Sequence, residues 1–227
     1  MKDAALLDVY VVDVCGTLVR DDTTIGLLRH HFAHDGNRRM RYMLFRAMTA
    51  RRSPLRLAFA VLEKLAGQHL LKHAAVRLLT GDPADSLDQS AAEYAAWLLA
   101  YRRVGSVWPL LDAPVEAGRV VLASASLEPV VAALASAMGV RHVASELGQQ
   151  AGILTGRYVN DLTGRKEQAL IKKYGNDVLA GQVCAISDNF SDRPLLEKAT
   201  QAYVVLHSKS HRQRWQGLNA TFLQVSE

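Results

Sequence analysis

The run Val9-Tyr-Val-Val-Asp-Val-Cys-Gly-Thr-Leu18 constrains this chain more than any other stretch. Leu6 to Val12 is too short for a buried helix and rich in β-branched residues, so it predicts a strand buried on both faces of a parallel sheet. Asp13 stands where the apolar run stops. In open α/β sheets ligands bind beyond the carboxyl ends of the strands, which makes Asp13 a candidate for chemistry rather than a solvated turn residue. Gly16 allows the backbone a sharp turn there. Taken alone, the motif also fits an aspartate that merely ends a strand.

Three later stretches bear on that choice. Val120 to Ala123 is a second buried-strand run, and it ends in Ser124-Ala125-Ser126-Leu127. Lys166 lies in Thr-Gly-Arg-Lys-Glu-Gln-Ala-Leu, at the mouth of a predicted helix. Val183 to Ile186 is a further strand, followed by Ser187-Asp188-Asn189-Phe190-Ser191-Asp192, with its two aspartates four residues apart. Singly, Ser124 is a strand-end hydroxyl and Lys166 a solvated helix-start lysine. Together and in this order, the four stretches resemble the motifs of the haloacid dehalogenase superfamily, whose members are mostly magnesium-dependent phosphatases.

The resemblance implies a role for each residue. Asp13 would be the nucleophile, with Ser124 and Lys166 completing the catalytic set and Gly16, Thr17, Ser124, Ala125 and Lys166 binding the phosphorylated substrate. Mg2+ would be held by Asp13, the main-chain carbonyl of Cys15, Asp188 and Asp192, the last acting through the metal's water shell or by holding Lys166. These residue types suit the chemistry. A carboxylate nucleophile divides one difficult hydrolysis into two easier steps, magnesium takes oxygen ligands, and a cation with hydrogen-bond donors stabilises charge on a transferring phosphoryl group.

One position departs from the pattern. The phosphatase branch usually carries a second aspartate two residues after the nucleophile, as general acid on the leaving group, and here that residue is Cys15. A thiol with a pKa of about 8.5 is a weak donor. Losing general acid catalysis slows ester hydrolysis by about 100-fold to 10,000-fold without preventing metal or phosphate binding. A slow or substrate-restricted phosphatase, a different reaction on the same scaffold, and a phosphate-binding or regulatory protein with negligible turnover all remain open. The metal-free dehalogenases also lack the second aspartate, but Asp188 argues for retained magnesium.

Between the first two strands the sequence changes character. Thr24 to Phe32, Asn37 to Ala50, Pro54 to Leu79 and Asp85 to Arg103 are rich in helix formers, and Asp21-Asp22-Thr23-Thr24 supplies a helix start. An all-helical insert here resembles the helical-capped subclass that includes the phosphoserine phosphatases. The expected architecture is α/β, a Rossmann-like core with a parallel sheet (1–19 and 106–227) plus an inserted all-helical cap (20–105). Pro129 to Met138 predicts a helix, Arg141 to Ser145 a short strand, Gly152 to Val159 part of a hairpin, and Lys166 to Tyr174 a helix. Ala202 to Leu206 predicts the last core strand, and Ser210 to Leu218 a basic helix with Trp215 as a packing anchor.

Within the insert Arg38, Arg39, Arg41, Arg46, Arg51, Arg52 and Arg56 occur with no acid between Asp35 and Glu63, interleaved with Met40, Met43, Leu44, Phe45 and Met48. A solvated basic face, a phosphate-binding face and peripheral attachment to anionic lipid all fit this pattern. His69 and His73 have a metal-compatible spacing, but no third ligand is evident and packing histidines are the simpler reading. The net charge of +5 favours anionic ligands, and no nucleic-acid-binding signature accompanies it. The resemblance implies a small phosphorylated metabolite as the partner. The first residues do not resemble a signal peptide, no stretch approaches a spanning helix, and Cys15 and Cys184 lack metal-ligand spacing, so the expected setting is cytoplasmic with free thiols.

Overall fold

The computed structural model describes residues 7–33, 39–50, 52–66 and 70–225. Its strands are β1 (Val9–Val12), β2 (Val120–Leu127), β3 (Arg141–Gln150), β4 (Ile153–Asn160), β5 (Val183–Ser187), β6 (Gln201–Leu206) and β7 (Thr221–Gln224). They form one sheet in the order β4-β3-β2-β1-β5-β6-β7, parallel except for the antiparallel pair β3 and β4. From β1 the chain builds outward first on the β2 side and then on the β5 side. The carboxyl end of β1 is therefore the switch point at which such sheets leave a crevice.

The apolar runs follow from burial on both faces. Side chains alternate along a strand. Val9, Val11, Val121, Ala123, Val183 and Ala185 enter one buried cluster, while Val12, Val120, Leu122, Cys184 and Ile186 enter another. Each such side chain contributes up to about 1.5–3 kcal/mol. A one-residue slip would exchange the faces, so the register is tightly specified.

Helices α1 (Thr23–Ala33), α2 (Arg39–Thr49), α3 (Pro54–Ala66), α4 (Leu70–Arg77) and α5 (Ala84–Tyr101) lie between β1 and β2. Asp22 starts α1 by accepting the Ile25 N–H at 3.1 Å. The ends of this excursion are bonded side by side, Arg20 N–H to Arg102 O at 2.7 Å and Val104 N–H to Leu18 O at 3.1 Å. Its inner side chains Leu28, Phe32, Phe45, Val76 and Leu98 share the cluster that contains Val12 and Leu122. Helix and sheet are thus joined by one core. The remaining helices, α6 (Asp112–Glu116), α7 (Glu128–Met138), α8 (Lys166–Tyr174) and α9 (Arg193–Lys198), connect the later strands.

Several boundaries differ from the sequence expectation. Residues 54–79 form two helices instead of one, and the residues that separate them, 67–69, lie outside the described set, as do His34, Arg38, Arg51 and Leu6. β3 continues past Ser145 to Gln150 as the first arm of the hairpin, and Ala151 (φ 49°) with Gly152 (φ 77°) makes the left-handed two-residue turn that suits the twist of paired strands. Lys209–Trp215 is 3₁₀ rather than α-helical, and Trp215 is buried against Phe190 at 5.4 Å between ring centroids. β7 had no sequence signal. Phe45 is fully buried, 5.8 Å from the Phe32 ring, and fixes α2 on the core. Phe45→Ala should cost about 3–5 kcal/mol of unfolding free energy, measured by urea denaturation.

Candidate active site

The strand ends place the first group of residues. Val12 is level with Leu122 on β2 and Ile186 on β5, so Asp13 lies level with Ala123 and Ser187, one residue before Ser124 and Asp188. The Asp13 N–H donates to Ile186 O at 2.9 Å, which extends the ladder to the acid itself. Asp13 Oδ1 accepts the Val14 N–H at 2.8 Å and pairs with Lys166 Nζ at 2.8 Å. From the first turn of α8, Lys166 also donates to Asp192 Oδ2 at 2.6 Å, and that oxygen accepts the Ser187 hydroxyl at 2.6 Å. All three charged groups are buried.

Asp188 is held by the turn that follows β1. The Thr17 hydroxyl donates to Asp188 Oδ1 at 3.0 Å and accepts the Asp188 N–H at 2.9 Å. The side chain of Thr17 is thereby occupied with Asp188 and leaves only its backbone for a substrate. Gly16 has φ 75°, and a Cβ there would overlap the Asp188 carboxylate. His207, the first residue after β6, donates from Nε2 to Gly16 O at 2.7 Å and lies 3.3 Å from Asp188 Oδ2. The bond to Asp188 raises the imidazole pKa above its usual value, against the effect of burial.

Charge is out of balance in this cluster. Burial pushes the Asp13 carboxyl up to about 7; Lys166 pulls it down, and Asp192 and Asp188 push it further up. Burial disfavours the Lys166 ammonium, but Asp13 and Asp192 outweigh it and hold its pKa above the ordinary lysine value. Two carboxylates therefore flank one buried lysine, and a third, Asp188, lies near enough to Asp13 to raise its pKa, so hard oxygen donors gather here. That donor set fits a divalent cation. Among the described residues no group of three or more His, Cys, Asp or Glu side chains forms a metal cage. A cation here would rely on two carboxylates, a carbonyl and water, as magnesium commonly does.

Ser124 is buried at an irregularity in the β2–β3 register between Ala123 and Leu127, where a bulge re-aims side chains. Its hydroxyl accepts the Ser126 N–H at 3.2 Å, and Ser126 meets Thr23 of α1 at 2.5 Å. The Ala125 carbonyl accepts Lys72 Nζ from α4 at 2.5 Å and the Ser145 hydroxyl at 2.9 Å. Lys72 also lies over the Tyr158 ring and 3.8 Å from Asp161. Burial lowers its pKa, opposed by Asp161, Asp22 and Cys15. Cys15 Sγ donates to Asp21 O at 3.2 Å, and burial, reinforced by Asp22 and Asp13, pushes the thiol pKa far up. It is a neutral donor turned toward the backbone.

Lys72 and His207 were missed by sequence reasoning. His207 follows the predicted strand 202–206, so the strand-end rule that selected Asp13 would have found it. Lys72 carries no such signal. His73 lies tilted against the Tyr158 ring and pairs with Asp161 at 3.3 Å, while His69 lies outside the described residues. A groove of about 980 Å³ opens elsewhere, between α5, α7, α8 and the β3–β4 hairpin, and none of the motif residues lines it. The titratable groups converge instead at the strand ends.

The sequence model of the haloacid dehalogenase-like hydrolases matches residues 11–197. The chain belongs to this family. The fold of the hydrolase is likewise found in solved structures. A protein of unknown function from Bordetella pertussis Tohama I has a TM-score of 0.65 at 19% identity, covering 96% of this chain and 98% of that one. A substrate-bound phosphoserine phosphatase gives 0.58 at 13%, with 96% and 94% coverage. Cytosolic 5'-nucleotidase IIIB bound to cytidine gives 0.62 at 13%, with 95% and 80% coverage. By sequence, no curated protein matches the hydrolase.

Asp13 binds its proton more tightly in the folded hydrolase than in the unfolded chain. The associated stability is fully present below about pH 4 and is lost as the pH rises through about 7. Asp13→Asn has no carboxylate to bury. In divalent-free buffer it should melt above the wild type near about pH 8, and the gap should close as the pH falls toward about 4. Thermal denaturation across that range measures it.

Proposed function

We propose that this hydrolase is a Mg2+-dependent phosphatase acting on a small phosphorylated metabolite through an aspartyl-phosphate on Asp13. The observation that carries the reading is the buried Asp13–Lys166–Asp192 cluster with Asp188 beside it at the sheet's switch point. The structural neighbours described as a phosphoserine phosphatase and a 5'-nucleotidase support a phosphate monoester as the substrate class. In the same proposal residues 1–19 and 106–227 form the catalytic core and 20–105 the cap. The setting is a reducing cytoplasm in which Cys15 and Cys184, both free in the structure, stay thiols.

The residues divide the work as follows. Lys166 and the Val14 N–H fix Asp13 Oδ1 and leave the other oxygen to attack phosphorus. The Oδ2–phosphorus bond forms as the bond to the ester oxygen breaks, and that oxygen leaves with the bonding pair and takes its proton from water. Water then attacks phosphorus, releasing inorganic phosphate and restoring Asp13. Lys166, the Ser124 hydroxyl and the main chain at Gly16, Thr17 and Ala125 bind the phosphoryl oxygens. Mg2+, held by Asp13, Asp188 and the Cys15 carbonyl, would supply charge neutralisation at those oxygens. Asp192 acts by holding Lys166, since both partners of its Oδ2 are already in place.

Cys15 has no proton to spare for a leaving group, because its thiol is raised and bonded to Asp21 O. Good leaving groups should therefore react best. Lys72, pinned across the mouth at Ala125 O, is placed to meet the substrate as it enters. The second reading, a phosphate-binding protein with negligible turnover, is favoured by the same cysteine.

Hydrolysis of nitrophenyl phosphate and acyl phosphates with and without Mg2+ tests the two. Phosphate-analogue binding without Mg2+-dependent turnover would favour the second. In the phosphatase reading, Asp13→Asn should abolish turnover, and Asp188→Asn should lower both activity and Mg2+ response. Rate should fall steeply with leaving-group pKa in the wild type. Cys15→Asp should flatten that dependence and accelerate alkyl esters by about 100-fold. An equally shallow wild-type slope would show that another group supplies the proton.

A further inference from the structure

The outer surface of α2 and α3 has a composition that the folding of the chain does not explain. Phe45 and Met48 turn inward on α2, while Met40 (83% exposed) and Met43 (65%) face solvent. On α3 no described side chain from Pro54 to Glu63 is buried, and Leu57 (61%) and Val61 (60%) are among the most exposed apolar groups. Leu57 and Val61 form one i, i+4 row, and Leu55, Phe59 and Leu62 form another. Apolar surface therefore extends around more than one side of a helix. Contiguous apolar patches on a soluble fold mark interaction sites.

From Arg39 to Leu62 the charge is of one sign, and the acid that follows, Glu63, accepts the Leu71 N–H of α4 at 2.9 Å. Arg39, Arg46, Arg52 and Arg56 are all exposed, and no acid occurs from Arg39 to Leu62. Arg41 is committed to Asp82 at 2.5 Å and Thr80 O at 3.2 Å, and Arg56 braces the hairpin through Thr49 O at 2.9 Å while remaining at the surface. A second copy is a poor occupant. A two-fold contact would place the same patch on both sides and oppose arginine to arginine. A shape-specific protein site usually presents buried Trp or Tyr anchors, and α3 has neither. Methionine, leucine and valine beneath a rim of arginine match a fluid, anionic boundary, which needs no complementary pockets.

We propose that the α2–α3 hairpin docks on an anionic lipid surface, with Met40, Met43, Leu57 and Val61 entering the headgroup boundary and Arg39, Arg46 and Arg52 meeting lipid phosphates. The hairpin lies on the bilayer without crossing it, and no helix among the described residues is long and apolar enough to span one. This placement does not depend on the phosphatase reading.

Co-sedimentation of the full chain with vesicles tests the proposal in the absence of any substrate. The chain should pellet with phosphatidylcholine vesicles containing about one-third phosphatidylglycerol, stay in solution with phosphatidylcholine alone, and be released by high salt. Neutralising Arg39 and Arg52 together, Arg39→Gln with Arg52→Gln, should weaken partitioning about 25-fold, fivefold for each charge. Leu57→Gln with Val61→Gln should abolish it while leaving the melting temperature unchanged, since neither side chain is buried. Failure to bind anionic vesicles at low salt would overturn the proposal, as would binding that both double variants retain. Lipid-free self-association that Leu57→Gln with Val61→Gln removes would also overturn it and assign the face to a second copy.

Discussion

A lysine ammonium buried between two carboxylates is the constraint on which the carboxyl end of the sheet depends. Taking these charges out of water is costly, and only close pairing offsets it. Lys166 has Asp13 on one side and Asp192 on the other, and the Ser187 hydroxyl satisfies a further lone pair of Asp192. The three come from β1, α8 and the turn after β5, so the site exists only when the sheet is in register. Removing Lys166 would leave two buried carboxylates without their cation, at a cost of about 3–5 kcal/mol. Surplus carboxylate remains even in the intact cluster. The cluster is therefore built at the expense of stability.

Much of this was legible because the same physics shapes the sequence and the structure. A strand buried on both faces must be apolar throughout, so the polar residue that ends the run marks the crevice. Asp13 is marked in this way, whereas Ser124, Lys166 and Asp188 stand out only as members of an ordered set of motifs that resembles a family pattern. The rule weakens where strands are solvated. β3 carries Glu146, Gln149 and Gln150 into the hairpin, and apolar content alone truncates it at Ser145. β7 is four residues on an edge with half-buried side chains and yields no signal. The helices between β1 and β2 were legible as helices, but summed propensity over 54–79 hides the break between α3 and α4.

Contacts made by long side chains across distant sequence are harder to foresee. Lys72 reaches the strand ends from α4 and spans from Tyr158 and Asp161 to the Ala125 carbonyl, a set of partners that no local pattern contains. Cys15 illustrates the opposite case. Its position was legible as a departure, but its consequence depends on burial and on the Asp21 carbonyl. An acid in that place would be a poised donor. The thiol instead completes a turn.

The helical excursion is bonded to the active end by more than packing. Arg41 of α2 grips Asp82, which also binds buried His31 of α1 at 3.2 Å. The backbone at Gly81 and Asp82 exchanges hydrogen bonds with Leu154 on β4, at 2.9 and 2.8 Å. β4 carries Tyr158, and the loop after it carries Asp161, the two groups that flank Lys72 at the mouth. A continuous set of hydrogen bonds, strand pairing and ion pairs thus runs from the outer hairpin to the carbonyl beside Ser124. Because each link is short and partly or wholly buried, α2 and the mouth behave as parts of one framework. The arginine that faces inward does structural work, which leaves the outward arginines of the same helix free to meet charge outside the molecule.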